Sequence, residues 1–306
     1  MQMLKAKTYE RILSKKKTLD SFRPLPPQLV KKLWEQMQIE FTYNSNAIEG
    51  NTLSLRETQL VIQEGVTVHG KSLREHLEAR NHPEAVSYIE KLAEKESTIE
   101  QDDILKIHKL LMHGIDDQNA GKYRTGQVRV AGATFMPPQA NRIQPMINEL
   151  LQTLRQNPDE LTPIELAAFF HHKLVYIHPF IDGNGRTARL LMNVILMSNG
   201  YPFTALLKVD RPKYFRTLSE ADNGSLVPFA NFIARSVERS LDIYLLAFEK
   251  EAEILTLAEA SKLTPYTQEY LSLLARKGDI GAFKLRRNWV ITKKVLKEYL
   301  KTHRKN

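Results

Sequence analysis

Two strongly apolar helical segments joined by a short polar loop constrain the fold of this chain more than any other feature. The first, LTPIELAAFFHHKLVYIHPF, opens with Thr162, Pro163 and Glu165, which have the spacing of a capping box with proline at the first helical position. The second, RTARLLMNVILMSNG, ends at Asn199 and Gly200. Helices this apolar must be buried against other elements. The sequence therefore predicts a mainly α-helical core, with a loop between two buried helices.

The rest of the chain also has mostly helical patterns. PLPPQLVKKLWEQMQIEFTYNSNAIEGN is typical of a helix that ends at Gly50, and SLRETQLVIQEG and QPMINELLQTLRQ predict two more helices. In the second of these three, Ser54 and Glu57 have capping-box spacing and Gly65 is a stop signal. The clearest strand signal is GQVRVAGATFMPP, which predicts a small β-hairpin over residues 126–138.

Charge and composition favour a reducing compartment and an acidic partner. The net charge is +9, and residues 251–306 hold 12 Lys and Arg against 6 Asp and Glu. This excess predicts either an acidic partner for the C-terminal segment or a solvated basic tail. The sequence has no cysteine, no signal peptide and no apolar run as long as a membrane span. We therefore expect a cytoplasmic protein without a membrane partner.

The loop HPFIDGNGRTAR, residues 178–189, contains groups suited to binding phosphate. Gly183 and Gly185 can adopt positive φ, and a glycine-rich entry to a helix presents backbone N–H groups that bind anions. Arg186 and Arg189 share one helix face, where guanidinium groups can bind phosphate oxygens in a bidentate way. These residues predict an anion cradle at the start of the second helix.

Two further groups of this loop suit catalysis. Asp182 offers a hard oxygen ligand, and Mg²⁺ is usually held by one or two carboxylates together with substrate phosphates. His178 is the one group there that titrates near neutrality, which makes it the candidate general base. Each group alone is more often structural, but their co-occurrence predicts metal-assisted phosphate transfer to a hydroxyl. The neighbours His171 and His172 point to different helix faces, and at least one is interpreted as a core residue.

HPFIDGNGRTAR matches in full the pattern H-x-F-x-D/E-G-N-G-R-x-x-R, so the chain resembles the Fic family. YRTGQVRV is similar to the flap hairpin of that family, and the resemblance covers roughly residues 30–245. It implies transfer of AMP from ATP to a Ser, Thr or Tyr hydroxyl of a target protein, which the flap, residues 128–134, would hold by main-chain pairing. Members that depart from GNGRxxR act as kinases or phosphocholine transferases, and the full pattern favours AMP transfer.

The resemblance also implies a role for each matching residue. His178 would deprotonate the target hydroxyl, Phe180 would anchor the loop in the core, and Asp182 would hold Mg²⁺ between the α- and β-phosphates. Arg186 would contact the phosphates, and Arg189 would meet the γ-phosphate. The other residues expected at the nucleotide are Gly183, Asn184 and Gly185 of the cradle, Val130, Ala131, Gly132 and Ala133 of the flap, and Tyr214.

SNAIEG, residues 45–50, has an acidic side chain where a helix disfavours it. Glu49 falls in the last turn of its predicted helix, where the helix dipole costs a carboxylate about 0.3–1 kcal/mol. From position alone, Glu49 is either a solvated residue or the partner of a cation elsewhere. SNAIEG also matches the family's inhibitory pattern, which implies that Glu49 pairs with Arg189 and displaces the γ-phosphate, with Ser45 on the same face. In some relatives this glutamate also assists removal of AMP, and the sequence leaves that reverse reaction open.

The C-terminal segment, residues 251–306, resembles a winged helix-turn-helix of the excisionase type. Thr256 and Glu259 form a capping box, a helix is predicted from about Thr267 to Lys277, and GAFKLRRNWVI predicts two short strands around Arg286-Arg287-Asn288. A recognition helix and a basic wing suit duplex DNA. The predicted recognition helix has few side chains that read bases, so dimerisation or protein docking stays open as the alternative.

Together these features predict three regions. Residues 1–100 form an N-terminal helical region with the inhibitory helix, residues 101–250 a Fic catalytic core with a small β-hairpin flap, and residues 251–306 the winged helix-turn-helix. The predicted function is AMP transfer with ATP and Mg²⁺, self-inhibited by Glu49. The alternative function is a DNA-binding regulator whose core senses a nucleotide. The target protein is not readable, and a homodimer is left open.

Overall fold

The structure is a computed structural model that describes residues 3–22, 27–95, 98–129, 135–251, 254–277, 279–285 and 288–302. It is mainly α-helical, as the sequence predicts, and the chain divides into two compact units. Unit 1 comprises residues 1–10 and 34–240, and unit 2 comprises residues 11–33 and 241–306. Among the described residues, no helix combines the length and the hydropathy needed to cross a membrane.

Helices dominate the chain up to residue 251. In order they are α1 (Ala6–Asp20), α2 (Pro27–Ile48), α3 (Leu55–Glu64), α4 (Leu73–Glu94), α5 (Gln101–Met112), α6 (Ala140–Gln156), α7 (Pro163–Ile177), α8 (Asn184–Ser198), α9 (Arg211–Asp222) and α10 (Val227–Glu251). A short 3-10 helix, Lys208–Asp210, precedes α9. Helices α3 to α9 belong wholly to unit 1.

The core of unit 1 is built on the two apolar helices that the sequence predicts. Helix α7 has the predicted capping box, because the Thr162 side chain accepts from the Glu165 N–H and the Glu165 side chain accepts from the Thr162 N–H. It packs along α8, while α4 and α5 pack on α8 and α6 packs on α7. Most side chains of α8 are buried, including Leu190, Leu191 and Met192.

The loop between α7 and α8 is shorter than predicted. Helix α7 ends where the sequence places its end, at His178, whose φ of 50° is left-handed. Helix α8 begins at Asn184 and not at Arg186, so Asn184 and Gly185 already belong to its first turn. The helix starts early because Gly183 takes a φ of 77° and turns the chain directly into α8.

The segment SNAIEG, residues 45–50, comprises the last turn of α2 and the two residues after it. The predicted helix is present, but it ends at Ile48, so Glu49 lies one residue beyond the last turn. The Glu49 N–H donates to the Asn46 carbonyl at 3.0 Å, which is the tightened bonding that closes helix ends. Helix α3 begins and ends as predicted, with the capping box of Ser54 and a left-handed Gly65.

The predicted hairpin of residues 126–138 is only partly described, because residues 130–134 lie outside the described residues. Its two flanks, residues 126–129 and 135–138, are here called the flap arms. They are irregular and contain no assigned strand. A β ladder is disfavoured there because Pro137 and Pro138 have no N–H to donate. Their carbonyls instead accept side-chain hydrogen bonds from Gln127 and Arg124.

Unit 2 contains a small antiparallel sheet with helices. Its strands β1 (Ile254–Thr256), β2 (Phe283–Leu285) and β3 (Asn288–Thr292) have the order β1-β3-β2. The helices of this region are α11 (Leu257–Lys262), α12 (Gln268–Lys277) and α13 (Lys293–Thr302). The helix pair and the wing strands β2 and β3 lie where the sequence predicts them, and β1 and α13 are additions. Gly278, Arg286 and Arg287 fall outside the described residues.

Candidate active site

The first turn of α8 contains residues of the predicted anion cradle. A β-carbon at Gly183 would meet the side chains of His108 and Met112 at 3.2 Å, and its φ of 77° also disfavours any larger residue there. The Asn184 side chain bonds back to Phe180, accepting from its N–H and donating to its carbonyl, both at 2.9 Å. Asn184 therefore fixes the loop with its side chain and leaves its backbone N–H for the cradle.

Phe180 anchors the loop in the core, as the resemblance implies, and is fully buried. Its ring stacks on His108 with centroids 3.6 Å apart. The His108 Nδ1 accepts from the Gly121 N–H at 3.0 Å, so Nε2 carries the proton and donates to the Asp182 carbonyl, also at 3.0 Å. Burial lowers the pKa of His108 to about 4, so its imidazole ring remains neutral at physiological pH. His108 is not predictable as a site residue from the sequence, because its one signal is a histidine on the apolar face of KIHKLLM.

His178 has the geometry of a general base. Its Nδ1 lies 3.2 Å from the Val175 carbonyl, and a carbonyl only accepts, so Nδ1 carries the proton. The other ring nitrogen, Nε2, then keeps its lone pair. Burial lowers the pKa of His178, and the charge of Arg124 lowers it further. The ring is therefore neutral, and able to accept a proton, near pH 7.

Asp182 is surrounded by positive charge. Its Oδ2 contacts Arg74 Nη2 and lies 3.3 Å from Arg186 Nη2, while its Oδ1 accepts from the Gly183 N–H at 2.6 Å. Burial raises the pKa of Asp182, but Arg186, the Gly183 N–H and Arg74 outweigh it, so the pKa is below its ordinary value. The carboxylate is ionised and 41% exposed. It is thus available to a cation from solvent.

A metal at Asp182 would draw its other ligands from outside the protein. The described part of the chain contains no group of three or more His, Cys, Asp or Glu side chains able to hold a metal ion. Mg²⁺ is commonly held by one or two carboxylates, with substrate phosphates and water completing its octahedron. One ionised, partly exposed carboxylate beside an anion cradle fits that binding mode.

Arg186 lies between two carboxylates and has unused donors. It is 1% exposed, and its Nη1 lies 3.3 Å from Glu78 Oε1. Its Nε and Nη1 nevertheless make no hydrogen bond in the described structure. Buried donors of this kind are costly when unsatisfied, and a phosphate oxygen would satisfy them. Arg74 and Glu78, both missed by the sequence analysis, complete a ring of ion pairs with Asp182 and Arg186.

Arg189 contacts the segment SNAIEG, residues 45–50. It is fully buried, its Nε donates to Ser45 Oγ at 3.0 Å, and its Nη2 donates to the Ser45 carbonyl and to Glu49 Oε1, both at 2.8 Å. Glu49 also covers the cradle, because a β-carbon at Gly185 would collide with Glu49 Oε1. The predicted pair of Glu49 and Arg189, with Ser45 on the same side, is thus present as a contact.

The remaining predicted residues are placed as follows. Tyr214 is buried behind Arg189, accepting from its Nη1 at 3.4 Å, with its hydroxyl 3.2 Å from His171 Nε2. His172 pairs with Asp222 at 2.9 Å, and both histidines are buried, which agrees with their interpretation as core residues. The flap residues Val130, Ala131, Gly132 and Ala133 lie outside the described residues.

Comparison with known proteins shows the family of the chain. The family model "Fic/DOC family" matches residues 98–196. A protein adenylyltransferase Fic from Nematostella vectensis is 41% identical over 218 residues, covering 71% of this chain and 51% of its own length. The chain thus spans about half the length of the curated relatives it matches.

Two solved structures share the fold over a longer part of this chain than the family model matches. Fic-1 (residues 134–508) from Caenorhabditis elegans is 32% identical, with a TM-score of 0.72 over 80% of this chain and 74% of that one. A Fic domain-containing signaling protein from Bacteroides thetaiotaomicron is 29% identical, with a TM-score of 0.73 over 79% of this chain and 97% of that one. This chain belongs to the Fic/DOC family.

Proposed function

We propose that the protein transfers AMP from ATP to a Ser, Thr or Tyr hydroxyl of a target protein. One observation carries the proposal. A neutral His178, with a free lone pair on Nε2, lies in the same loop as a helix N-terminus that presents Gly183, Gly185 and the unsatisfied donors of Arg186. A base for a hydroxyl and a cradle for phosphates are the two parts that such a transfer requires.

The reaction follows from these groups. His178 Nε2 takes the proton of the target hydroxyl as its oxygen attacks the α-phosphorus. The bond from the α-phosphorus to its bridging oxygen breaks, AMP becomes a phosphodiester on the target, and pyrophosphate leaves. The N–H groups of the α8 N-terminus and the Arg186 guanidinium hold the phosphate oxygens whose charge grows during this step. Asp182 would hold Mg²⁺, which neutralises charge on the departing phosphates.

Glu49 is the proposed inhibitor of this reaction. Arg189 is the predicted partner of the γ-phosphate, and Glu49 Oε1 accepts from its Nη2 at 2.8 Å. Glu49 also stands over Gly185, within the cradle. A triphosphate that enters cannot place its γ-phosphate on Arg189 while Glu49 is there, so the α-phosphate lies out of line with the incoming hydroxyl. The reverse de-adenylylation, in which the same carboxylate would assist removal of AMP, stays a prediction from the family resemblance.

The relatives support the chemistry. Those from Nematostella vectensis, Aedes aegypti and Caenorhabditis elegans are named protein adenylyltransferases. Their matched part includes the segment with the intact HPFIDGNGRTAR pattern of this chain. The rival function, a DNA-binding regulator whose core only senses a nucleotide, needs neither a base at His178 nor an ionised Asp182.

Labelled ATP tests the proposal against its rivals. The Glu49→Gly variant is incubated with Mg²⁺, cell lysate and ATP labelled at either the α- or the γ-phosphate. We expect label on protein from α-labelled ATP alone, and none from the His178→Ala, Glu49→Gly double variant. Label from γ-labelled ATP would indicate a kinase instead. Retention of nucleotide without labelled protein would indicate a sensor.

Two alternative partners, duplex DNA and another protein surface, are proposed for the C-terminal segment, residues 251–306. Its basic wing favours duplex DNA, but the exposed side chains of α12 include the apolar Tyr270 and Leu273 and the acidic Glu269, which suit a protein surface better than phosphates. We propose DNA binding first, because the salt dependence of the affinity for duplex DNA gives it the sharper test. The cytoplasmic location, the homodimer and the three predicted regions remain predictions.

A further inference from the structure

Arg124 makes an unusual set of contacts beside the candidate active site. It is 4% exposed, and its guanidinium donates to three backbone carbonyls from three different segments. Nε donates to the His178 carbonyl at 2.8 Å, Nη1 to the Gly126 carbonyl at 2.8 Å, and Nη2 to the Pro138 carbonyl at 2.6 Å. Its own backbone N–H donates to the Pro179 carbonyl at 2.9 Å.

These carbonyls belong to parts of the site with different tasks. His178 and Pro179 open the loop that contains the base, whereas Gly126 and Pro138 belong to the two flap arms. Gln127 adds a bond between the arms, because its Nε2 donates to the Pro137 carbonyl at 2.9 Å. The base of the flap is therefore closed on itself, and Arg124 joins it to the catalytic loop by both its side chain and its backbone N–H.

The guanidinium is suited to this position for two reasons. Its planar fork directs donors in three fixed directions, which a single ammonium group cannot do. Its contacts are also all carbonyls, since no carboxylate of the described residues pairs with Arg124. A charged group buried without a counter-ion is costly and is retained where its hydrogen bonds are needed. An apolar residue of similar size would leave these three carbonyls without their donors.

We propose that Arg124 is a positioning residue that sets the distance between the flap arms and His178, and thereby brings the acceptor hydroxyl of a docked protein segment within reach of Nε2. The inference rests on the proposed function, because it assumes a protein acceptor held by the flap. The inference goes beyond the proposed function by assigning the alignment of acceptor and base to one residue outside the HPFIDGNGRTAR loop. A misplacement of about 1 Å between reacting groups can cost on the order of 10²-fold in rate.

The test compares Arg124→Lys with an exposed neighbour in the Glu49→Gly background. Lys122 is the matched control, because it is an exposed cation that also donates to a backbone carbonyl, that of Gln118 at 2.9 Å. The acceptor is the His178→Ala variant of the same chain, supplied at varied concentration with α-labelled ATP. Affinity for ATP is measured separately, and amide exchange is followed by mass spectrometry in peptides covering the flap arms and the catalytic loop.

We expect Arg124→Lys to reduce labelling of the acceptor by about 10- to 100-fold. ATP affinity should stay within about twofold, and amides of the arms and of the catalytic loop should exchange faster than in Lys122→Arg. Labelling and exchange equal to those of Lys122→Arg would overturn the proposal. A parallel loss of ATP affinity would also overturn it, because Arg124 would then act through the nucleotide cradle.

Two fallback experiments apply if Arg124→Lys does not fold or if the parent variant shows no activity. If Arg124→Lys has no cooperative thermal transition, Gln127→Ala replaces it, because Gln127 is exposed and joins the arms without touching the catalytic loop. This variant should raise the KM for the protein acceptor with little change in kcat, and an unchanged KM would contradict the proposal.

If the Glu49→Gly parent labels nothing, the proposed function fails. Faster amide exchange in Arg124→Lys would then still support the attachment of the arms to the catalytic loop, and equal exchange would refute it.

Discussion

Replacing Glu49 by glycine should raise AMP transfer by about 10- to 100-fold. Glu49 Oε1 lies 2.8 Å from Arg189 Nη2, and the two side chains are 36% and 0% exposed. A hydrogen bond between charged groups contributes about 1.5–3 kcal/mol, and about 1.4 kcal/mol corresponds to a factor of ten. The partial exposure of Glu49 weakens the pair through solvent screening, so we expect a contribution in the lower part of the range of about 1.5–3 kcal/mol. The γ-phosphate must overcome this contact before the triphosphate can align.

Comparing ATP with ADP separates alignment from simple binding. Only ATP has the γ-phosphate that Arg189 is proposed to hold, so release of Arg189 should favour ATP over ADP. Thermal unfolding is followed with each nucleotide and Mg²⁺, since a ligand at 100 times its Kd stabilises the folded state by about 2.7 kcal/mol. We expect ATP and ADP to raise the Tm of the wild type about equally, and ATP to raise the Tm of Glu49→Gly more than ADP does.

Three variants control this experiment. Glu35→Gln removes an exposed carboxylate from the same helix α2 and should behave as wild type. Glu49→Gln keeps the shape without the charge and should release activity in part. Adding Arg189→Ala to Glu49→Gly should return transfer to a low level and abolish the preference for ATP. Equal labelling by wild type and Glu49→Gly would refute the inhibitory contact, and high labelling by the double variant would refute the role of Arg189.

The remaining predictions concern the base, the metal and the C-terminal module. His178→Ala should reduce transfer by about 10²–10⁴-fold while ATP still raises the Tm. Because the pKa of His178 is below its ordinary value of about 6.5, the rate should persist as the pH falls through 6.5 and decline only at lower pH, which a pH–rate profile checks. Arg74→Gln should lower the Mg²⁺ concentration needed for ATP binding, since Arg74 contacts the same Asp182 carboxylate, and a Mg²⁺ titration monitored by nucleotide binding tests this. Duplex DNA should bind the full chain less tightly as salt rises, with a smaller salt slope when Arg286 and Arg287 are both changed to alanine, and absence of binding at low salt would leave protein docking.

Much of this site could be predicted because its chemistry lies in contiguous sequence. The cradle, the base and the carboxylate all come from residues 178–189, where spacing alone fixes the order loop, helix N-terminus and first turn. The capping boxes of Thr162 and Ser54 are likewise local, and both are present. Glu49 could be assigned only through a family pattern, because its partner Arg189 is 140 residues away.

The residues that the sequence did not identify act through distant contacts. Arg124 reaches the His178 carbonyl across 54 residues, Arg74 reaches Asp182 across 108, and His108 reaches the Asp182 carbonyl across 74. Tertiary packing creates these contacts, and a single arginine or histidine carries no local sequence signal for them. The flap arms departed from the strand pattern for a related reason, since side-chain donors occupy the carbonyls that a β ladder would use.

Peptide mass spectrometry of a labelled acceptor tests the central claim most directly. The Glu49→Gly variant is incubated with ATP, Mg²⁺ and the His178→Ala chain or lysate protein, and modified peptides are sequenced. We expect an AMP group on a Ser, Thr or Tyr oxygen, which is absent when the enzyme itself carries His178→Ala. A phosphate in place of AMP, or AMP transfer that persists without His178, would contradict it.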